Sequence, residues 1–223
     1  MLSPQIHDSY PVAVDRYSGL TRLNHWINAF FFVALVLSGL AFYSPYTYFL
    51  SGLFGGGANA RMLHPWFGVI VTISFLFLFF RFVGGNGWKP RDTAWMKNPG
   101  AVLSGDEEAL PEAGKYNAGQ KIVFWSMTML IIIMIATGLV IWDQYFAAYT
   151  SIEVKRAAVL IHSVAATAAI IVLIIHIYAA IWVWGSIGAM TSGRVTGGWA
   201  WRHHRKWLRD LVAGRVDGDM PKA

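Results

Sequence analysis

Two histidines in one long apolar segment are the residues of this chain best suited to chemistry. His162 and His176 both lie within residues 159–184, which are long enough to span a membrane as one α-helix. Fourteen residues of helix make nearly four turns and rise about 21 Å, so both imidazoles project from nearly the same face at opposite depths. The residues between them on that face are mostly small: Ala165, Ala166, Ala169 and Leu173. This pattern predicts a helix that ligates two flat macrocycles stacked across a membrane.

The composition excludes an ordinary soluble domain and limits the cofactors. Of the 223 residues, 56% are hydrophobic and 13% are charged, and the mean hydropathy is +0.45, which is typical of an integral membrane protein. Cysteine is absent. This chain therefore holds no iron–sulfur cluster, and any redox centre must use histidine or methionine ligands or belong to a partner.

The apolar runs predict an all-α integral membrane protein, a bundle of four transmembrane helices. The histidines in its spans predict that the bundle holds two b-type haems. The expected helices cover about residues 23–43, 62–83, 121–142 and 157–184. They form a membrane domain over 23–190, with an N-terminal tail at 1–22, a loop at 84–119 and a basic C-terminal tail at 191–223. A cleaved signal peptide is the alternative for the first run, but that run is too long and contains His25 and Asn28. Pro65 suits the start of the second helix, where its missing N–H needs no partner.

The distribution of positive charge predicts the orientation. The two tails and residues 81–121 hold 15 of the 18 Lys and Arg residues, and only Arg61, Lys155 and Arg156 fall on the other side. The positive-inside rule then places both termini in the cytoplasm of a multi-pass membrane protein, with lipid rather than nucleic acid as its surroundings. In the basic tail, His203 and His204 are expected in a solvated, lipid-facing or partner-facing segment, because a histidine pair alone lacks the further ligands of a metal site.

Depth sorts the four histidines of the spans into two pairs. From the direction of each helix, His64 and His162 lie near the outer face, whereas His25 and His176 lie near the inner face. Two axial histidines saturate a haem iron, which favours electron transfer over oxygen chemistry, and without cysteine the haems are not covalently attached. The alternative is that each histidine is a buried polar residue with hydrogen bonds inside a haem-free membrane anchor or small transporter.

Three glycines are expected at the level of the outer pair. They are Gly39, Gly68 and Gly138. Small residues leave room for a bulky group such as a porphyrin, although close packing between helices also favours glycine.

Several stretches of the chain resemble one family of membrane cytochromes. They are LNHW around His25, LFGGG and MLHPWFGV around His64, LSGDEE, GKYNAGQK at residues 114–121, LIHSVAA around His162, and HIYAAIWVWGSIGAMTSGRV from His176. Together they resemble the cytochrome b (gamma) subunit of membrane-bound respiratory formate dehydrogenase, within a wider di-haem family that also serves nickel–iron hydrogenases. The resemblance covers about residues 16–207.

The resemblance implies a function and further site residues. It implies the same haem pairs and a menaquinone pocket at the cytoplasmic side, formed by Asn117, Gly119 and His176, with Gln120 and Tyr116 as neighbours. The implied partners are an iron–sulfur (beta) subunit and a molybdenum or tungsten formate dehydrogenase (alpha) subunit that oxidises formate, and the implied location is the bacterial inner membrane. A higher oligomer of the complex is left open. Electrons would run from the periplasmic partner through both haems to menaquinone and contribute to the proton-motive force.

Two alternatives stay open at this point. The cytochrome b of a hydrogenase or of a thiosulfate reductase shares the class, although the GKYNAGQK stretch favours formate dehydrogenase. The residues 117–120 are also typical of a turn and N-cap that open a helix, with or without a quinone.

Overall fold

The protein is helical apart from one small sheet. The computed structural model describes residues 6–7 and 9–215. In chain order the helices are α1 (Gly19–Tyr43), α2 (Gly57–Phe82), α3 (Pro90–Met96), α4 (Pro99–Ser104), α5 (Ala118–Ile141), α6 (Asp143–Phe146), α7 (Ile152–Trp182), α8 (Ser186–Thr191), α9 (Gly197–His203) and α10 (Arg205–Val212). Four of them, α1, α2, α5 and α7, are long and apolar enough to cross a membrane, which confirms the predicted four-helix membrane fold. Short 3-10 turns cover Pro45–Phe54, Val83–Asn86 and Ala147–Tyr149.

The chain forms two compact units. The first consists of the described residues of Met1–Arg22, Phe79–Trp125 and Ile177–Ala223, and the second of Leu23–Leu78 and Ser126–His176. The second unit contains most of the four long helices. Its core is a cluster in which Phe32 of α1, Val71 of α2 and Ala169 of α7 are buried, with side chains of α5 packed against them. Burial of these apolar faces stabilises the arrangement of the helices that carry the histidines.

The first unit contains a sheet that the sequence did not predict. Its strands are β1 (Ile6–His7), β2 (Ala13–Asp15) and β3 (Arg194–Thr196), all antiparallel in the order β1-β2-β3. Val14 pairs with Ile6 on one side and with Val195 on the other. The carboxylate of Asp15 accepts hydrogen bonds from His7 Nε2 at 2.8 Å and Arg194 Nε at 2.9 Å. The beginning and the end of the described chain are therefore joined.

The C-terminal segment is packed into this unit, which corrects the expectation of a solvated, lipid-facing or partner-facing tail. Trp199 and Trp207 are buried in one apolar cluster with Val14 and Val195. His204 is only 1% exposed. The tail is buried because its Trp and Leu residues cover the sheet with apolar surface, while most of its basic side chains stay outside.

The helices also begin earlier than the apolar runs suggested. The second helix starts at Gly57, after Gly55 and Gly56 with φ of 81° and 104°, so Pro65 lies inside it rather than at its start. A proline there has no N–H for the carbonyl of Arg61, so α2 continues past Pro65 with one backbone hydrogen bond fewer. The fourth helix starts at Ile152, since polar residues such as Glu153 extend it beyond the apolar run.

Candidate functional site

The outer pair of histidines meets in the second unit. His64 projects from α2 and His162 from α7, and the centroids of their rings lie 6.4 Å apart. With a metal–nitrogen bond of about 2 Å and a ring nitrogen about 1 Å from its centroid, two axial imidazoles place their centroids about 6 Å apart. The observed spacing is therefore that of two imidazoles on opposite sides of one metal ion.

Hydroxyl groups fix which nitrogen of each ring carries the hydrogen. Ser38 Oγ lies 2.8 Å from His64 Nδ1 and donates its own hydrogen to the carbonyl of Ala34 at 2.7 Å. Its oxygen therefore accepts from Nδ1–H, and the lone pair is left on Nε2. Thr137 orients His162 in the same way. Its Oγ1 lies 2.8 Å from His162 Nδ1 and donates its own hydrogen to the carbonyl of Ile133 at 2.7 Å.

Two of the three glycines lie against these rings. A Cβ atom built on Gly39 would lie 3.4 Å from Cε1 of His64, and one on Gly138 would lie 3.6 Å from Cε1 of His162. A Cβ on Gly68 would meet no protein atom within 4 Å. A methyl group at Gly39 or Gly138 would thus be in van der Waals contact with an imidazole, so the α1 and α5 backbones lie close to the two rings.

The inner pair repeats the spacing of the outer pair. His25 of α1 and His176 of α7 have ring centroids 6.3 Å apart. Trp26 lies edge-on to His25 at 5.3 Å. Within the described residues, Nδ1 of His25 is buried without a hydrogen-bond partner, so His25 lacks the hydroxyl support found at both outer histidines.

The donor set of each pair fits a haem better than a bare metal ion. Two imidazoles supply only two ligands, and over residues 6–7 and 9–215 no group of three or more His, Cys, Asp or Glu side chains could hold an ion. A porphyrin supplies the remaining ligands, and histidine is an ordinary axial ligand for its iron. The four residues predicted as iron ligands are thus brought together in the two predicted pairs.

The predicted quinone residues of the first unit lie at the start of α5. Asn117 Oδ1 accepts from the N–H of Gln120 at 2.9 Å, and Gln120 Oε1 accepts from the N–H of Asn117 at 3.1 Å. This is a capping box, so the helix-cap interpretation of the stretch is correct. A Cβ on Gly119 would lie 3.5 Å from the Trp95 ring. The buried ring of Tyr116 packs edge-on against Phe82 at 6.1 Å.

The cap does not use the side-chain NH2 groups of Asn117 and Gln120. It uses only the amide oxygens of the two side chains, so both NH2 groups point outside the hydrogen-bonded ring of the cap. An NH2 group is the donor that a quinone carbonyl requires. The part of His176 in quinone binding stays a prediction.

Sequence reasoning missed Ser38 and Thr137. Both are buried hydroxyl residues in apolar helices, and each directly precedes a glycine, Gly39 and Gly138. That recurring hydroxyl–glycine pair at the level of the outer histidines was the available signal, because a hydroxyl can turn back to its own helix or support a ligand.

Comparison with known proteins also gives b-type cytochromes. The family model described as prokaryotic cytochrome b561 matches residues 16–193. The chain is 42% identical, over 198 residues, to the cytochrome b556(fdo) subunit of formate dehydrogenase from Escherichia coli (strain K12), covering 89% of this chain and 93% of that protein. It is 40% identical over 198 residues to the nitrate-inducible formate dehydrogenase cytochrome b556(Fdn) subunit of the same strain, covering 89% and 91%. The formate dehydrogenase cytochrome b556 subunit of Haemophilus influenzae is 34% identical over 216 residues, covering 97% and 91%.

Proposed function

Because the chain belongs to the prokaryotic cytochrome b561 family, we propose that it is the membrane-bound cytochrome b subunit of a formate dehydrogenase complex. The relatives at 40–42% identity carry that name. In this proposal His64 and His162 hold an outer haem b, and His25 and His176 hold an inner one. When bound, each haem exchanges single electrons.

The observation that carries this proposal is the pairing of the four imidazoles at 6.4 and 6.3 Å. Bis-histidine ligation leaves no open position on iron, which suits electron transfer and excludes oxygen activation. Both pairs lie on helices that are long and apolar enough to cross a membrane. A haem-free anchor has no need of two such pairs.

We further propose the direction and the partners. The outer haem receives electrons from an iron–sulfur subunit on the periplasmic side, which is joined to a molybdenum or tungsten subunit that oxidises formate. The inner haem delivers them to menaquinone near the cytoplasm, at Asn117, Gly119, Gln120 and His176. Release of the formate proton outside and uptake of quinone protons inside would contribute to the proton-motive force, with both termini in the cytoplasm.

The test is a spectrum of the intact complex purified from membranes. A pyridine haemochrome assay is expected to give two haems b per chain, and formate is expected to reduce both. Metal analysis separates the rivals, because nickel in the large subunit would indicate a hydrogenase. A value well below two haems per chain contradicts the two-haem proposal.

Loss of the Ser38 hydroxyl is expected to weaken only the outer haem site. In Ser38→Ala, the His64 ring loses the acceptor that orients it, so haem at that site should be held about 10- to 100-fold more weakly. Thr137→Ala should act in the same way through His162. The measurement is the rate of haem transfer from the complex to excess apomyoglobin.

Ser163→Ala is the matched control for this prediction. Ser163 directly follows His162 in the sequence, and its hydroxyl donates to the carbonyl of Val159 at 2.8 Å. It should lose haem at the rate of the unsubstituted protein. Equal rates for Ser38→Ala and Ser163→Ala would show that the Ser38 hydroxyl does not support a ligand.

Replacement of Asn117 can separate quinone binding from helix capping. Aspartate keeps the Oδ1 acceptor that caps α5 but lacks the NH2 donor. Asn117→Asp is therefore expected to raise the KM for a soluble naphthoquinone about tenfold or more, corresponding to loss of about one hydrogen bond, with unchanged haem content. An unchanged KM in Asn117→Asp together with a raised KM in Asn117→Ala would assign Asn117 to the cap alone.

A further inference from the structure

Three segments far apart in sequence meet at a buried arginine in the first unit. Arg16 follows β2 and is 2% exposed. Its guanidinium lies 5.0 Å from the Trp199 ring and 4.9 Å from the Trp207 ring, so two aromatic faces replace water around the charge. Its Nη2 donates to the carbonyl of Lys115 at 2.6 Å and lies 3.3 Å from Nε2 of His204.

His204 completes the connection in its neutral form. Its Nδ1 lies 2.7 Å from the carbonyl oxygen of Gly114, and because a carbonyl only accepts, Nδ1 carries the hydrogen. Arginine only donates, so Nε2 must accept from Arg16. An imidazolium could not make both contacts. His204 therefore donates a hydrogen bond to the carbonyl of Gly114, and Arg16 donates one to the next carbonyl, that of Lys115.

These carbonyls begin the loop that leads into the cap of α5. Only two residues lie between Gly114 and Asn117, and this stretch is short enough for any shift at its start to reach the cap. We propose that Arg16 and His204 are positioning residues that hold residues 114–120 in place for quinone binding. This inference rests on the proposed function of Asn117, Gly119 and Gln120.

The pair also makes the loop sensitive to acid. Burial lowers the pKa of His204 well below its ordinary value, and the positive charge of Arg16 lowers it further, against a weaker raising effect of the bond to Gly114. In an unpacked tail His204 titrates near 6.5. The packed arrangement is therefore unaffected above about pH 6.5 and is weakened as the pH falls below it, because the unpacked form takes up the proton first.

The other charged groups on the segments that contain His204 and Gly114 are present in every variant described below. They are Lys115, whose ammonium lies over the Tyr17 ring, His203 paired with Glu107, Arg209 paired with Glu112, and Asp210 paired with Lys206. Any pH effect lost in a variant of His204 alone is thus due to His204.

The experiment compares three variants in the intact complex. Arg16→Met keeps an unbranched stem between the tryptophans but removes every donor. His204→Leu removes both contacts of the imidazole, whereas His204→Gln offers one donor and one acceptor without a proton to gain. The measurements are haem content, kcat and KM with a soluble naphthoquinone, and hydrogen exchange of the amides of residues 114–120, at pH 7.5 and 5.5.

The expected results are specific to positioning. Arg16→Met and His204→Leu should raise KM about tenfold, equivalent to about 1.4 kcal/mol, with faster amide exchange, full haem content and little change in kcat. His204→Gln should restore a low KM and lose the rise in KM that the unsubstituted complex shows at pH 5.5. His204→Leu decides the question alone if Arg16→Met lowers the yield of the complex.

Other outcomes overturn the proposal in distinguishable ways. Unchanged exchange and KM in Arg16→Met and His204→Leu would show that the pair does not hold the loop. Faster exchange with an unchanged KM, in a complex whose Asn117→Asp variant has a raised KM, would show that holding the loop does not affect quinone. If the unsubstituted complex passes no electrons to the naphthoquinone, the quinone proposal fails, and amide exchange still decides whether the pair holds the loop.

Discussion

Replacement of His64 by alanine is expected to reduce the haem b content of the complex from two per chain to one. His64 and His162 are the only pair at the outer site, with ring centroids 6.4 Å apart among the described residues, so loss of one imidazole leaves iron with a single axial ligand. His162→Ala should remove the same haem. His25→Ala and His176→Ala should each remove the other haem, because those rings form the second pair at 6.3 Å.

The measurement is haem stoichiometry by pyridine haemochrome, with low-temperature spectra to identify which haem remains. His203→Ala is the control, since His203 is paired with Glu107 in the first unit and is assigned no iron. It should retain two haems. The pairing is wrong if His64→Ala and His25→Ala lose the same haem, or if any of the four single variants keeps both.

The positions of the four histidines could be predicted because helix geometry and membrane thickness are both regular. A rise of about 1.5 Å per residue converts sequence position into depth within a span. The separation of 14 positions between His162 and His176 therefore predicts different depths for the two histidines. The structure brings His64 to His162 and His25 to His176, as depth suggested.

The contacts around those histidines could not be predicted from periodicity. Ser38 and Thr137 contact the rings across helix interfaces, and a hydroxyl in an apolar helix is equally compatible with a bond to its own backbone. The hydroxyls of Ser38 and Thr137 each bond a histidine ring and also a carbonyl of their own helix. Which of the two faces a ligand depends on helix rotation, and small changes of rotation do not alter the apolar pattern.

The first unit was the least predictable part of the fold. Arg16 bonds Lys115 and His204, which lie 99 and 188 residues away along the chain. The strands are only two or three residues long and give no periodic signal. The apolar residues Trp207, Leu208 and Leu211 of α10 do recur at helical spacing, but the sequence does not show what they pack against. Their structure arises from joint burial of Trp199 and Trp207 with the sheet, which is a tertiary effect.

Replacement of Lys121 by methionine is expected to cost about 3–5 kcal/mol of stability, as for other buried ion pairs that lose one partner. Lys121 is 1% exposed and its ammonium lies 2.7 Å from Asp92 Oδ2, whose side chain is 4% exposed. The ammonium also donates to the carbonyl of Gly87 at 2.9 Å. Methionine fills most of the volume but leaves the carboxylate of Asp92 buried without its cation, so the cost comes from an uncompensated charge.

The double variant Asp92→Asn with Lys121→Met is expected to be more stable than Lys121→Met alone, because asparagine removes that charge and can still accept the N–H of Lys89, now 2.7 Å from Asp92. Thermal unfolding in detergent, followed by tryptophan fluorescence, measures the difference. Lys97→Met, at an exposed lysine just after α3, is the control and should change stability by no more than about 0.5 kcal/mol. If the double variant is less stable than Lys121→Met, the carboxylate must have gained another partner, and the ion pair is not what joins α3 to the start of α5.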